Sequence, residues 1–93
     1  MIRSWGNTEA SEVFAGRAPK SIPADILRKA RRLLAQLDAA ARVEDMRAPP
    51  GNRLHALDGD LAGHWSVSVN MQYRITFKWG DHGPESVWLG DYH

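Results

Sequence analysis

From Ile26 to Ala41 the apolar positions fall three or four residues apart, with Ile26, Ala30, Leu33, Leu34, Leu37 and Ala41 on one stripe. That spacing predicts a helix buried along one side. Arg28, Lys29, Arg31 and Arg32 fall off the stripe and face outward. Ser21-Ile-Pro23 starts this helix, because a proline in the first turn lacks an N–H that would have no partner there. A shorter helix precedes it, capped by Asn7 or Thr8, with Glu9 and Glu12 near its positive end and Gly16 as its stop. Ile2 to Trp5 reads as an extended edge strand, and Val43 to Arg47 as one more helical turn before Ala48-Pro49-Pro50-Gly51 breaks it.

Beyond Gly51 the period changes to two. Leu54 and Ala56 alternate with Arg53 and His55, and Trp65, Val67 and Val69 with His64, Ser66, Ser68 and Asn70. Tyr73, Ile75, Phe77 and Trp79 alternate with Arg74, Thr76 and Lys78, and Val87 and Leu89 lead to Asp91. Connections at Asp58-Gly59, Asn70-Met71-Gln72 and Gly80 to Pro84 suit hairpins of an antiparallel meander. Helices first and strands after predict an α+β fold, with an N-terminal strand and helices packed on one face of a mainly antiparallel β-sheet. Residues 1–93 are expected to form a single domain.

Composition narrows the class without naming a function. The chain is 43% hydrophobic and 25% charged, as in ordinary globular proteins. It has no cysteine, so neither a disulfide framework nor a thiolate metal site is expected. The four histidines lack metal-ligand spacing, and no metal or cofactor is expected. Nothing in Met1 to Trp5 resembles a secretion signal and no run approaches a membrane span, so the expected location is cytoplasmic, with no membrane partner. Net charge is only +1, but Arg17, Lys20, Arg28, Lys29, Arg31 and Arg32 stand against Asp25 alone between positions 17 and 32. Such a local excess can attract a polyanion, although a solvated helix face would look the same.

The candidate chemistry lies on the polar parity of the sheet, where Arg53, His55, Ser66, Ser68, Arg74, Thr76 and Lys78 share a face. A one-residue slip would send Arg74 into the core and Ile75 into water. Tyr92 falls on the same face by parity, with Asp91 and His93 at the strand's end. Cutting RNA without a metal requires a base for the 2′-hydroxyl, a cation for the pentacoordinate phosphate and an acid for the leaving 5′-oxygen. Histidine titrates near working pH and suits both proton transfers. Arginine's planar fork suits the phosphate. A carboxylate can orient a histidine, and a tyrosine can bond phosphate or stack on a base. His55, His93, Arg74, Asp91 and Tyr92 would supply these roles. Taken singly, His55 could be a surface histidine, Arg74 could pair with a surface carboxylate, and His93 could fray. His64 and His82 read as structural or solvent-exposed. The tryptophans at 5, 65, 79 and 88 read mostly as core, with Trp88 exposed.

Together, Asn52-Arg-Leu-His-Ala-Leu57, Gly63-His-Trp-Ser-Val-Ser-Val69, Gln72-Tyr-Arg-Ile-Thr-Phe77 and the ending Asp91-Tyr-His93 resemble the HigB, or killer-protein, branch of the RelE superfamily. Met1-Ile-Arg-Ser-Trp5 and Leu37-Asp-Ala-Ala40 fit it as well, so the resemblance covers essentially the whole chain. It implies a toxin of a type II toxin–antitoxin system, an mRNA interferase that enters the 70S ribosome and cuts messenger RNA in the A site. It implies catalytic roles for His55, Arg74, Asp91, Tyr92 and His93, and RNA contacts for Arg53, Lys78, Arg28, Lys29, Arg31 and Arg32. It also implies a HigA-like helix-turn-helix antitoxin, through which operator DNA is bound. Many members read His-Pro-Leu-Lys where this chain has His55-Ala-Leu-Asp58. At about 4 Å and an effective dielectric near 20, such a swap trades roughly 4 kcal/mol of attraction to phosphate for repulsion, before solvent softens it. Arg53 and Lys78 could replace the lysine, or Asp58 could point into the turn. A non-catalytic or gyrase-directed module on the same fold is the alternative that Asp58 raises.

Overall fold

The computed structural model describes residues 1–91. Two helices, α1 (Thr8–Phe14) and α2 (Leu27–Ala39), precede strands β1 (His55–Ala56), β2 (His64–Ser68), β3 (Tyr73–Gly80) and β4 (Gly83–Asp91). The strands form an antiparallel meander in the order β1-β2-β3-β4. The amino-terminal segment runs parallel to β4, bridging Trp5 to Val87, with Gly6 donating to the Val87 carbonyl and Val87 to that of Ser4. It acts as a partial fifth strand.

Asn7 begins α1 and also anchors it. Its side-chain oxygen accepts the Ala10 N–H at 3.1 Å, as a helix cap should. The same oxygen accepts the Leu89 N–H at 3.2 Å while Nδ2 donates to the Leu89 carbonyl at 2.8 Å. One side chain therefore starts the helix and ties it to β4. The helix closes at Gly16 (φ 90°), where Gly16 donates to Val13 and Arg17 to Glu12, the paired bonds of a Schellman end. Arg31 reaches across from α2 and donates to the carbonyls of Val13, Gly16 and Arg17 at 3.4, 3.1 and 2.9 Å.

The long helix starts later than its pattern predicts. Ala24–Ile26 form a 3₁₀ turn after Pro23, and α2 begins at Leu27. It ends at Ala39 because Ala40 turns extended (ψ 137°), so Ala41 lies exposed beyond it rather than on the buried stripe. Leu27 is buried in addition to the expected residues. The helices and the inner sheet face close on Leu33, Leu34, Leu37, Ile75, Phe77 and Leu89, none more than 1% exposed. Trp65 and Trp79 pack half-buried against this core. Trp5 does not join it, being 36% exposed and in a tilted ring contact with Phe14, centroids 5.5 Å apart.

The expected strand parity holds across the sheet. His55 pairs with Ser66, Ser66 with Thr76 and Thr76 with Trp88. Between Thr76↔Trp88 and Lys78↔Glu85, Ser86 and Val87 oppose Phe77 alone, a bulge in which Ser86 takes φ 52°. Ser86 donates its N–H to Ser4 Oγ at 2.8 Å instead of to β3. The bulge keeps Val87 and Leu89 in the core and Trp88 on the opposite face.

Candidate active site

Two adjoining concavities open on the polar parity of the sheet, the first bounded also by Lys29 of α2, and Arg74 lines both. Arg74 lies on β3 between Ser68 of β2 and Gly90 of β4, so it stands near the middle of the face. The first lobe, about 580 Å³, brings Lys29, Arg53, His55, Ser66, Ser68 and Arg74 together. The second, about 530 Å³, gathers Leu61, His64, Thr76, Trp88 and Asp91 around Arg74.

His55 is exposed on a two-residue edge strand, and the backbone before it sets its position. Pro50–Asn52 form a 3₁₀ turn, and Arg53 follows in the left-handed region (φ 51°, ψ 50°), turning the chain into β1. Asn52 is fully buried, and its Nδ2 donates to the Met46 and Ala48 carbonyls at 3.1 Å each and to Gln36 Oε1 at 3.3 Å. Gln36 in turn donates from α2 to the Ala48 carbonyl at 2.6 Å. These bonds lash the irregular segment to α2, which fixes where β1 starts. His55 Nδ1 lies 2.9 Å from the Arg53 carbonyl. A carbonyl can only accept, so Nδ1 carries the hydrogen and a neutral ring keeps its lone pair on Nε2.

The remaining expected residues divide by position. Lys29, half-buried on α2, reaches the first lobe and joins the basic helix to the sheet groove. Arg28 and Arg32 are exposed on the same helix. Arg31 is committed to the end of α1, so its guanidinium closes a helix and does not point outward with them. Lys78 is exposed on the polar face, paired with His64 and Glu85, and lines neither lobe. Asp58 is exposed in the turn after β1 and likewise lines neither. Asp91 ends β4, accepting from Gln72 Nε2 at 2.8 Å. Tyr92 and His93 lie outside the described residues.

His64, read as a structural or solvent-exposed histidine, is half-buried on β2. It faces the second lobe, and its Nδ1 is buried with no hydrogen-bond partner among the described residues. Its shared parity with Ser66 and Ser68 is the signal that could have found it. Gln36 and Asn52 carried no comparable signal, since their role lies in contacts between distant parts of the chain. Among the described residues, no three or more His, Asp or Glu side chains converge as metal ligands.

The sheet order and helix placement define a RelE-like toxin fold. Over 98% of this chain and 91% of the other, it superposes on a YafQ variant from E. coli with a TM-score of 0.66 at 16% identity. A YoeB–YefM complex from Staphylococcus aureus matches over 100% and 98% with a TM-score of 0.63, also at 16% identity. Sequence narrows the class, because the profile of the RelE-like toxin of type II toxin–antitoxin system HigB matches residues 7–93. The chain belongs to this HigB-like toxin family. It is 48% identical to Toxin HigB-1 of Vibrio cholerae over 60 residues, which are 64% of this chain and 63% of that toxin. It is 27% identical to Endoribonuclease HigB of Proteus vulgaris over 93 residues, the full length of both.

Proposed function

We propose that this toxin is a ribosome-dependent endoribonuclease, an mRNA interferase that cuts messenger in the A site with its own side chains as acid, base and anion binder. The observation that carries the reading is the first lobe, where a histidine with an oriented ring shares a concavity with Arg53, Lys29 and Arg74. The name of the Proteus vulgaris relative supports the reaction class.

In this mechanism Nε2 of His55 takes the proton of the 2′-hydroxyl, and the resulting oxyanion attacks the adjacent phosphorus. Arg74 binds the equatorial oxygens as charge builds on them, since its fork keeps two donors aimed at phosphate. The bond to the 5′-oxygen breaks, leaving a 2′,3′-cyclic phosphate, and an acid returns a proton to the departing oxygen. His93, assisted by Asp91 and Tyr92, is the proposed acid. Arg53 and Lys29 hold the neighbouring phosphates in place of the lysine that many family members carry, while Lys78, Arg28 and Arg32 extend the positive surface toward ribosomal RNA. Asp58 stays outside both lobes, so it does not favour the non-catalytic or gyrase-directed reading.

An antitoxin partner accompanies membership in a toxin–antitoxin family. We take it to be a HigA-like helix-turn-helix protein that also carries the toxin to operator DNA, and we place the action in the cytoplasm, where ribosomes are. No helix among the described residues is long and apolar enough to cross a membrane.

The test is to incubate purified toxin with 70S ribosomes programmed with a defined messenger, and with the same messenger free in solution, and to map new 5′ ends. Discrete cuts at A-site codons only when ribosomes are present are expected. Equal cutting of free messenger overturns the ribosome dependence. Intact messenger together with DNA damage in induced cells overturns the nuclease in favour of gyrase.

A further inference from the structure

We propose that the second lobe, beside Trp88, is a nucleobase subsite that seats a base flanking the phosphate held at Arg74. This rests on the endoribonuclease reading and adds which part of the substrate the lobe accepts. The two lobes differ in chemistry. The first gathers Lys29, Arg53 and Arg74, as a polyanion requires. Among the described residues, the second shares Arg74 with the first but sets the Trp88 indole and Leu61 beside it in place of Lys29 and Arg53. Thr76, His64 and the Asp91 carboxylate are further polar groups there. Proteins that bind single-stranded RNA offer bases an aromatic face and a few polar groups for the base edge.

Trp88 is positioned by its neighbours. A Cβ at Gly90 would lie 2.6 Å from the indole's six-membered ring, and one at Gly6 would lie 3.1 Å from Trp88 Cβ and 2.7 Å from the Ser86 carbonyl. The side chain therefore lies along β4 in space that two glycines leave open. An aromatic ordered before binding loses little entropy when a base stacks on it. The pairing row His55, Ser66, Thr76, Trp88 spans three strand spacings, about 14 Å, with Arg74 two residues before Thr76 on β3, the next position along the same face. A base on Trp88 and a sugar–phosphate at His55 thus fit on one sheet face.

His64 supplies the second mark of a ligand site. Buried polar atoms ordinarily have partners, yet its Nδ1 has none among the described residues. The tautomer with hydrogen on Nε2 leaves no buried N–H unpaired and gives the ring one donor. With the hydroxyl of Thr76, a residue only 5% exposed, it can read a base edge.

The test uses ribosomes programmed with messengers that differ in the A-site codon, and with messengers bearing one abasic residue on either side of the cut. Wild-type toxin is compared with Trp88→Leu, Trp88→Phe and His64→Gln, each checked by its thermal melt. One abasic position should slow wild-type cutting about tenfold, the loss expected of a single base stack. The same position should slow Trp88→Leu by less than about twofold, since its stack is already gone. Trp88→Phe should keep most of the penalty, and His64→Gln should reorder the codon preference. Equal abasic penalties in wild type and Trp88→Leu overturn the subsite alone. Should Trp88→Leu not fold, equal penalties in wild type and Trp88→Phe with unchanged codon order in His64→Gln do the same. A wild-type toxin that cuts no programmed messenger overturns the endoribonuclease reading and the subsite with it. Variants that cut normally but no longer bind the antitoxin assign the lobe to that protein and overturn the base.

Discussion

The position of His55 is set by a backbone carbonyl on one side and a buried amide three residues earlier on the other. Its ring is exposed and makes one local hydrogen bond, to Arg53. His55→Ala should therefore shift stability by no more than about 0.5 kcal/mol, as surface changes do. Under the proposed mechanism His55 is the general base, and its removal should lower cutting by about 10² to 10⁴-fold. Thermal melts and single-turnover cleavage on programmed ribosomes measure the two effects separately. Asn52 should show the reverse pattern of cause. Its amide donates to two carbonyls and a side-chain oxygen in a buried setting. Asn52→Ala takes the donor from the buried Met46 carbonyl and from Gln36 Oε1, at about 1–3 kcal/mol for each group that water does not reach, while the Ala48 carbonyl keeps Gln36 Nε2. Asn52→Asp should be worse, because it places an acceptor-only anion against the same oxygens. Denaturant titration should rank wild type above Asn52→Ala and Asn52→Asp last, and an equal loss in both variants would sink the account.

Helix α2 joins a structural role and the proposed RNA contact on one cylinder, and neighbouring arginines separate them. Arg31 closes the end of α1 through three carbonyls, so Arg31→Ala should lower stability by about 1–2 kcal/mol. Arg28 and Arg32 are exposed, and their joint removal should leave the melt unchanged while weakening ribosome binding. The log–log dependence of that binding on salt should flatten by about 1 for each phosphate no longer neutralised. Binding isotherms at several salt concentrations provide the measurement. The 3₁₀ turn Val43–Arg47 adds a pH dependence. The Asp45 carboxylate accepts the N–H groups of Ala41 and Arg42 at 2.8 and 3.1 Å, and these bonds lower its pKa from 3.8. A lowered folded pKa gives stability that is present above the unfolded value and lost as pH falls through the folded one. Asp45→Asn should lower stability at neutral pH, where the charged carboxylate contributes, and should flatten the acid limb below about pH 4, where the protonated wild type converges on the variant.

Sequence pattern made the elements legible because burial repeats locally. Alternation placed Arg74, Ser66 and Thr76 on one face, and the register keeps them there. The 3.6 period identified the buried side of α2 but not its ends, where Pro23 and Ala40 decide. What pattern could not supply was the meeting of distant segments. Lys29 falls off the apolar stripe like any solvated residue, and only the packing of α2 beside the sheet brings it to the lobe that His55 lines. Arg31 has the same sequence signature as Arg28, yet carbonyls 14 to 18 residues away capture its guanidinium. His64 shared its parity with the groove, but parity does not distinguish a lining residue from a solvated one.

At the scale of the whole molecule, the buried core and the proposed chemistry lie on opposite faces of a single sheet. The helices bury Leu33, Leu34, Phe77 and Leu89 on one side, and both lobes open on the other. A domain this small has a total stability of about 5–10 kcal/mol, so one core deletion removes a large share of it. Leu34→Ala should reduce stability by about 2–5 kcal/mol, through apolar surface no longer buried and the cavity left behind. None of that reduction touches Arg74 or His55, whose strand register rests on backbone pairing. Per folded molecule, cutting by Leu34→Ala should thus stay within about twofold of wild type, while its abundance in cells falls several-fold. Active-site titration beside total protein measures both quantities on one preparation. A proportional fall in cutting per folded molecule would show instead that core packing sets the geometry of the groove, and that the two faces of the sheet act as one unit.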